Sequence, residues 1–145
     1  MVKFERVSYI GKDVKLPERA TINSAGYDFF APSNIILPAK QLTRVMTGIK
    51  CELRPYMVLI LANRSSNPSK KSLFLANGVG IVDADYYNNL DNEGEIGFEF
   101  YNNSEEDVEI KKDEKIGQGI ITTYIRVEDD NVTGSRAGGF GSTGK

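Results

Sequence analysis

The stretch Glu95-Ile96-Gly97-Phe98-Glu99-Phe100 alternates polar and apolar side chains, which is the pattern of a strand with one buried face. Met57-Val58-Leu59-Ile60-Leu61-Ala62 is a short apolar run, and it predicts a strand buried on both faces. The β-branched and aromatic segment Ile121-Thr122-Thr123-Tyr124-Ile125-Arg126-Val127 predicts another strand, preceded by alternation around Val108 and Ile110. Short strands of this kind, separated by turns, predict an all-β sandwich or barrel.

Helical periodicity is confined to one short candidate within residues 67–75, which starts from an Asn-Pro pair. The 145 residues are of a usual size for one domain, and we predict a single β domain over residues 1–133. Residues 134–145 contain five glycines and one large apolar residue, a composition that cannot form a packed element by itself. We predict that this segment is a flexible C-terminal arm.

Composition excludes several classes of function. The formal net charge is −2 and no run of about 18 apolar residues occurs, so we expect neither a nucleic-acid partner nor a membrane partner. The absence of histidine excludes Ser-His-Asp triads, Cys-His dyads and His-based metal sites. No Walker-A phosphate loop is present, so phosphate binding must use Arg, Lys, Ser hydroxyls and backbone N–H groups. A catalytic base would be Asp, Glu, Tyr or Lys.

The N-terminal sequence and the single cysteine bear on the compartment. Residues 1–10 alternate charged and apolar side chains, so we expect no signal peptide. One cysteine, Cys51, cannot form an internal disulfide, and a cytoplasmic location is the default expectation. We expect Cys51 itself to be a small buried residue without a functional role.

Two polar clusters follow apolar stretches. Arg64-Ser65-Ser66 can hold phosphate oxygens, because guanidinium offers a planar fork of donors; the alternative is a polar turn. Residues 77–86 read NGVGIVDADY and predict a hairpin, since Asn-Gly favours a tight turn. An acid such as Asp83, at the end of a buried strand, would be desolvated and would suit a general base. The alternative is that Asp83 or Asp85 caps a turn.

Two further segments carry candidate chemistry. Asp28 lies in Ala25-Gly26-Tyr27-Asp28-Phe29-Phe30-Ala31, and a lone acid in so apolar a segment predicts a salt bridge or a turn hydrogen bond. In the arm, Arg136 could bind a negatively charged group of a ligand, the glycine N–H groups could donate to its oxygens and Phe140 could cover a base. The arm could therefore wrap a phosphorylated ligand, and the alternative is a disordered end.

Together, and in this order, five segments resemble the motifs of the homotrimeric dUTPase family. They are Ala25-Gly26-Tyr27-Asp28, Arg64-Ser65-Ser66, residues 77–86, Lys115-Ile116-Gly117-Gln118 and residues 136–144. The resemblance spans nearly the whole chain and implies a jelly-roll-like β subunit. It also implies a homotrimer with three shared active sites, each closed by the arm of one chain, and Mg²⁺ bound to the substrate triphosphate.

The resemblance implies hydrolysis of dUTP to dUMP and pyrophosphate, which keeps uracil out of DNA and supplies dUMP for dTMP synthesis. Asp83 would activate the water that attacks the α-phosphorus, and Tyr86 would stack on the deoxyribose. Asp28 would have a structural role or contact the metal through water. The other implied substrate contacts are Arg64, Ser65, Ser66 and Gln118 on phosphates, Asn77, Gly80, Ile81 and Val82 on uracil, and Arg136, Phe140, Gly141 and Ser142 in the arm.

The chain departs from the family pattern directly after Tyr87. Residues 88–93, from Asn88 to Glu93, resemble a small polar insertion beside the site, which leaves the register of residues 94–97 open. The insertion is a candidate surface for a regulatory protein partner, and a phage-encoded chain would work in the host cytosol. Two alternatives remain: a dCTP deaminase, which shares the fold and the Arg-Ser-Ser motif but not the arm sequence, and a non-enzymatic binding protein.

Overall fold

Twelve strands form most of the regular structure of this chain, which a computed structural model describes over residues 1–144. One helix, α1 (Ser66–Lys71), and one 3₁₀ turn (Ala84–Tyr86) complete the regular elements of this range, and all strand pairs are antiparallel. The strands are β1 (Lys3–Arg6), β2 (Glu18–Arg19), β3 (Tyr27–Phe30), β4 (Ile35–Leu37), β5 (Leu42–Met46), β6 (Ile49–Glu52), β7 (Met57–Asn63), β8 (Leu73–Leu75), β9 (Gly80–Asp83), β10 (Gly97–Asn102), β11 (Val108–Ile110) and β12 (Lys115–Thr123). The all-β prediction is confirmed. Lys145, the last residue of the predicted arm, lies outside the described residues.

Strand β7 is the organising element of the largest sheet, whose order is β2-β3-β12-β7-β9. It pairs with β12 along its whole length and with β9 over four residues, from Val58 opposite Asp83 to Leu61 opposite Gly80. Antiparallel strands exchange N–H···O=C bonds across each pair, so β7 fixes the positions of both neighbours. The remaining strands form the three-stranded sheet β5-β10-β8 and the two pairs β1-β6 and β11-β4.

Aromatic rings from facing sheets meet at the centre of the core. Phe29 on β3 lies edge to face with Phe98 on β10, with ring centroids 5.3 Å apart, and Phe98 stacks on Phe100 at 6.1 Å. All three rings are buried. Offset and edge-to-face pairs of this kind add to the stabilisation that burial of their large apolar area provides. The core therefore joins the five-stranded sheet to the three-stranded sheet.

Two glycines of β12 allow these rings to approach the sheet. A Cβ atom at Gly117 would overlap the Phe98 ring. At Gly119 a Cβ atom would lie 2.7 Å from Leu59 Cδ1 and 2.9 Å from Phe29 Cε2. Glycine weakens a strand locally, and here the packing of aromatic rings against the backbone accounts for its presence. The same glycines explain why the sequence pattern did not predict the first half of β12.

The strand predictions are correct in kind, and several of their details are wrong. The apolar run forms β7, but only Leu59 and Leu61 are buried, and the residues on the other face of this strand are partly exposed. The strand predicted over residues 121–127 ends at Thr123, and the residues that follow are exposed. The alternating stretch at residues 95–100 forms β10, two residues later than predicted.

The hairpin predicted for residues 77–86 is wrong. The Asn77-Gly78 turn exists, with Gly78 at φ 74°, but the strands on its two sides do not pair with each other. Instead β8 pairs with β10 and β9 pairs with β7, so the turn carries the chain from one sheet to another. The short helix is confirmed, although it starts at Ser66 and ends at Lys71, before left-handed Ser72.

Two smaller observations concern Cys51 and the helices. Cys51 is buried in β6 and free, and burial raises the pKa of its thiol to about 12, which fits the predicted inert role. No helix within residues 1–144 is long and apolar enough to cross a membrane.

Replacing Gly117 by Ala should destabilise the protein, because the added methyl group would force Phe98 or the backbone of β12 to move. Overpacking of a dense core costs about 1–3 kcal/mol in the free energy of unfolding. The matched control is Gly134→Ala, since a Cβ atom at Gly134 meets nothing within 4 Å. Urea unfolding at one fixed protein concentration measures both, and equal midpoints for the two variants would contradict this account of the core.

Candidate active site

Asp83 ends strand β9 on the outward face of the large sheet. Along β9, Gly80 and Val82 face the core, whereas Ile81 and Asp83 face outward. β9 is also an edge strand of this sheet, so one of its two rows of backbone N–H and C=O groups has no strand partner within the described part of the chain. The Asp83 side chain is 53% exposed, so the predicted desolvation is wrong for a single chain.

The 3₁₀ turn after β9 directs Tyr86 back into the core. The buried Tyr86 hydroxyl donates a hydrogen bond to the carbonyl oxygen of Glu95 at 2.8 Å and accepts one from Asn92 Nδ2 at 2.8 Å. Burial raises the pKa of Tyr86, whereas the Asn92 hydrogen bond acts in the opposite direction. Two hydrogen bonds and burial together hold the ring in one orientation.

Arg136 brings the C-terminal arm onto Asp83 and Asp85. Its Nη2 lies 2.9 Å from Asp83 Oδ2 and its Nε lies 2.9 Å from Asp85 Oδ1. The Arg136 side chain is only 8% exposed, because its Nη1 also donates to the carbonyl oxygen of Gly139 and to Ser142 Oγ, each at 3.2 Å. A guanidinium held by two carboxylates in this way is a strong, oriented, charge-assisted contact.

Phe140 covers a cavity between the arm and the sheet. Its ring centroid lies 5.7 Å from the ring centroid of Tyr86. The guanidinium of Arg44, a residue of strand β5, lies 4.4 Å from the Phe140 ring centroid. The cavity has a volume of about 190 Å³. Nine of the predicted site residues line it, namely Asn77, Gly80, Ile81, Val82, Asp83, Tyr86, Arg136, Phe140 and Gly141. The lining therefore combines polar backbone edges, an aromatic wall and one acid.

A second cluster of predicted residues lies elsewhere. Arg64 Nη1 donates to the carbonyl oxygen of Lys115 at 3.0 Å, and Gln118 Nε2 donates to that of Asn63 at 3.4 Å. Lys115 Nζ also forms an ion pair with Asp28 Oδ2 at 2.7 Å, which confirms the predicted salt bridge of Asp28. This basic cluster, which comprises Arg64, Ser65, Ser66, Lys115 and Gln118, does not line the cavity within residues 1–144.

Asp83 and the basic cluster lie toward opposite ends of β7. Asp83 pairs with Val58, near the start of this strand, whereas Arg64 follows its last residue. A strand rises about 3.3 Å per residue, so the six positions from Val58 to Arg64 place Asp83 about 20 Å from Arg64 along the strand. One chain therefore presents its acid and its basic cluster at two distant places on the same sheet.

Comparison with known proteins agrees with the five ordered motifs. The sequence model of the dUTPase family matches residues 12–144. A deoxyuridine 5'-triphosphate nucleotidohydrolase of Lactococcus lactis subsp. lactis is 40% identical over 144 residues, which cover 97% of this chain and 96% of that protein. The chain belongs to the dUTPase family. A second protein of that name, from Clostridium tetani, is 31% identical over 145 residues, with 97% and 96% coverage.

Solved structures of dUTPases share this architecture. The crystal structure of dUTPase from Streptococcus mutans matches with a TM-score of 0.84 and 36% sequence identity, over 86% of this chain and 98% of that chain. The dUTPase from phage phi11 of S. aureus has a TM-score of 0.76 at 19% identity, over 91% and 96%, and shows a shared fold. The predicted jelly-roll-like dUTPase fold is confirmed, and the dCTP deaminase alternative is not supported.

Sequence reasoning missed several residues of the dUTPase site. Leu61, Ile96, Gly97 and Thr143 line the cavity but belong to strand, loop or arm positions without a chemical signature. Arg44 meets Phe140 from a strand that carried no motif, and nothing in its sequence context indicated this contact. Ser142 contacts Arg136 rather than the cavity. The substrate roles of the site residues that the sequence did predict stay predictions.

Replacing Tyr86 by Phe should reduce the decline of the free energy of unfolding at alkaline pH. The folded-state pKa of Tyr86 is raised, so the unfolded chain loses this proton first, and the contribution to stability decreases as pH rises above about 10, the pKa of an unperturbed tyrosine. The loss reaches at most about 1.4 kcal/mol per pH unit. Urea unfolding from pH 8 to 11 should show a shallower decline for Tyr86→Phe than for the parent. Parallel profiles would contradict the assignment.

Proposed function

We propose that this protein hydrolyses dUTP to dUMP and pyrophosphate. The observation that carries the proposal is the cavity in which Asp83, Tyr86, Arg136 and Phe140 converge although they come from distant parts of the sequence. Membership of the dUTPase family supports the same activity. In the reaction a water oxygen bonds to the α-phosphorus, the bond from this phosphorus to the bridging oxygen breaks, and pyrophosphate leaves. Asp83 accepts the proton of the attacking water.

The edge of strand β9 supports recognition of uracil. Its unpaired backbone row offers N–H donors and C=O acceptors at fixed spacing beside the cavity. Uracil presents an acceptor at O4 and a donor at N3, and cytosine reverses both. A backbone that pairs with one base leaves buried groups unpaired against the other, which discriminates by roughly 10⁴–10⁵ when the hydrogen bonding is strict.

The fixed ring of Tyr86 supports selection of deoxyribose. An apolar pocket rejects an added hydroxyl only weakly, by about 10², because soft walls yield to it. The Tyr86 ring cannot yield easily, since its hydroxyl is held by the Glu95 carbonyl and by Asn92. We propose that this ring occupies the space that a 2′-hydroxyl would need.

Arg136 links substrate binding to the release of Asp83. In the free chain its guanidinium pairs with Asp83 and Asp85. Substrate phosphates are stronger, multiply charged acceptors, so we propose that dUTP draws Arg136 onto its terminal phosphate. Asp83 then loses this partner and can accept the proton of the attacking water. The Arg136 guanidinium is then next to the negative charge that develops on the leaving pyrophosphate.

The distance between Asp83 and the basic cluster of the same chain supports an assembly with shared sites. The three phosphates of one dUTP beside Asp83 span much less than the distance to Arg64 of the same chain. The basic cluster of a second chain could supply these phosphate contacts, as the homotrimer prediction requires. The outward face of the large sheet fits such a contact, because Ile120, Ile60 and Ile81 are neighbours in register across three strands. We propose a homotrimer whose sites combine both groups from different chains.

Magnesium fits this site as a companion of the substrate. No group of three or more His, Cys, Asp and Glu residues within residues 1–144 could hold a metal ion as a protein cage. Magnesium prefers oxygen ligands and retains waters, so the substrate phosphates can carry it. When bound, Mg²⁺ would supply positive charge to the triphosphate oxygens. Asp28, which Lys115 already pairs, remains the candidate for a contact through water.

Replacing Asp83 by Asn should lower turnover by about 10²–10⁴, the usual contribution of a general base, while dUTP–Mg²⁺ still binds. The amide keeps the shape of the side chain but cannot accept the proton. Asp129→Asn is the matched control, because Asp129 is exposed and lies outside the cavity. Pyrophosphate release measures turnover, and near-normal rates for Asp83→Asn would show that another group is the base.

Replacing Ile120 by Asp should dissociate the assembly and abolish activity without unfolding the chain. The carboxylate would be buried without a partner if the apolar face were covered by a second copy. Ile22→Asp is the control, because Ile22 is an isoleucine that is 86% exposed and lies outside the large sheet. Sedimentation and circular dichroism would test this. An active, trimeric Ile120→Asp variant would exclude this face from the interface.

A further inference from the structure

Residues 88–93 form a tight loop that is fixed by its own hydrogen bonds. The Asn88 N–H donates to the Glu93 carbonyl at 2.9 Å, and the Glu93 N–H donates to the Asn89 carbonyl at 3.1 Å. The Asn89 amide oxygen accepts the N–H groups of Asp91 and Asn92, at 3.0 and 3.2 Å. Asn88 and Glu93 take left-handed conformations, with φ of 57° and 58°. The insertion is therefore an ordered element.

This loop is also attached to the body of the protein. Lys50 Nζ donates to Asn88 Oδ1 at 2.6 Å and pairs with the Glu93 carboxylate at 3.2 Å. Asn89 Nδ2 donates to the Tyr86 carbonyl at 2.8 Å. None of these contacts uses the Asp91 side chain, which points away from the interior of the loop toward the arm.

The arm meets the loop through its backbone. The Gly139 N–H donates to Asp91 Oδ2 at 2.6 Å, and the Leu90 N–H donates to the Ala137 carbonyl at 3.4 Å. A Cβ atom at Gly138 would lie 2.5 Å from the same Asp91 oxygen. A hydrogen bond from an amide to a carboxylate is charge-assisted and is roughly twice as strong as a neutral one.

We propose that Asp91 is a positioning residue that docks the C-terminal arm for catalysis. The proposal rests on the proposed function and deepens it, because it assigns the insertion a task in the same site. Gly139 lies between the two residues that the arm delivers: its carbonyl accepts from Arg136 Nη1, and Phe140 follows it. Holding the Gly139 N–H therefore fixes the guanidinium and the aromatic ring together.

The loop also contacts Tyr86, the wall of the cavity that we propose to face the deoxyribose. Asn92, the neighbour of Asp91, donates through Nδ2 to the Tyr86 hydroxyl, and Phe140 lies against the Tyr86 ring. One rigid loop therefore orients the wall of the cavity through Asn92 and its cover through Asp91. All chains are identical, so the same donor and acceptor meet whether the docked arm belongs to the same chain or to a neighbour.

A single-tryptophan reporter measures docking without any substrate. The chain contains no tryptophan, so Phe140→Trp places one fluorophore on the arm. Acrylamide quenching of the ligand-free protein then reports how far the arm is exposed. In this background Asp91→Ala should weaken docking about tenfold and increase quenching, because it removes a hydrogen bond to a charged group. Asp91→Asn, which keeps a neutral acceptor oxygen, should show a smaller increase, and Asp129→Ala should show none.

Kinetics of the same substitutions in the parent chain provide a second readout. For Asp91→Ala we expect KM for dUTP to rise about tenfold with kcat nearly unchanged, since saturating substrate recruits Arg136 through its phosphates. Thermal unfolding of Asp91→Ala should match the parent, because the Asp91 side chain makes no hydrogen bond within its loop. A fall in kcat at unchanged KM would overturn the positioning role.

A double-mutant cycle tests the contact from the arm side. Gly138→Ala should raise quenching in the reporter background, since its Cβ atom would displace the Asp91 carboxylate. In a chain that already carries Asp91→Ala, Gly138→Ala should increase quenching little further, because the effects of substitutions at residues in contact are not additive. Additive effects, or parental quenching in Asp91→Ala, would overturn the proposal. Quenching needs no turnover, so absence of dUTP hydrolysis would overturn the proposed function and leave this inference standing.

Discussion

The pairing of strand β7 with both neighbours is the constraint on which the rest of the structure depends. Its ladder to β9 places Asp83 near one end, and its ladder to β12 places Gln118 near the other. The same ladder places Gly117 and Gly119 of β12 against the aromatic core. A shift of one residue in the pairing of β7 with β9 would turn Asp83 toward the core and Val82 toward the outward face of the sheet.

Much of the fold could be predicted from side-chain alternation, and the exceptions have physical causes. β10 alternates clearly because one of its faces packs on the core, whereas β7 is apolar on both faces although only Leu59 and Leu61 are buried. β12 was found only in its second half, since Gly117 and Gly119 have no side chains to form a pattern. The hairpin was predicted wrongly because turn chemistry is local, whereas the choice of strand partner depends on which sheet has a free edge.

The site was predictable as a set of residues and not as a geometry. Residue types indicated that Arg136 and Phe140 could meet a phosphorylated ligand, and the structure brings both to the cavity. The exposure of Asp83 could not be predicted from its place after an apolar stretch, because it depends on β9 lying at the edge of its sheet with Asp83 on the outward face. Asp91 carried no signal of its own. Its importance comes from an arm that is nearly fifty residues away in sequence, as the contact with Gly139 shows.

The position of β9 at the edge of its sheet has a consequence for how such a protein can change over generations. If the backbone of β9 recognises the base, then the side chains of Ile81 and Val82 do not determine which base is bound. Mutation can alter them, within the limits of packing, and leave the choice of base intact. Selectivity is then inherited through the place of a strand in the fold, which is far harder to lose by single substitutions than the identity of a side chain.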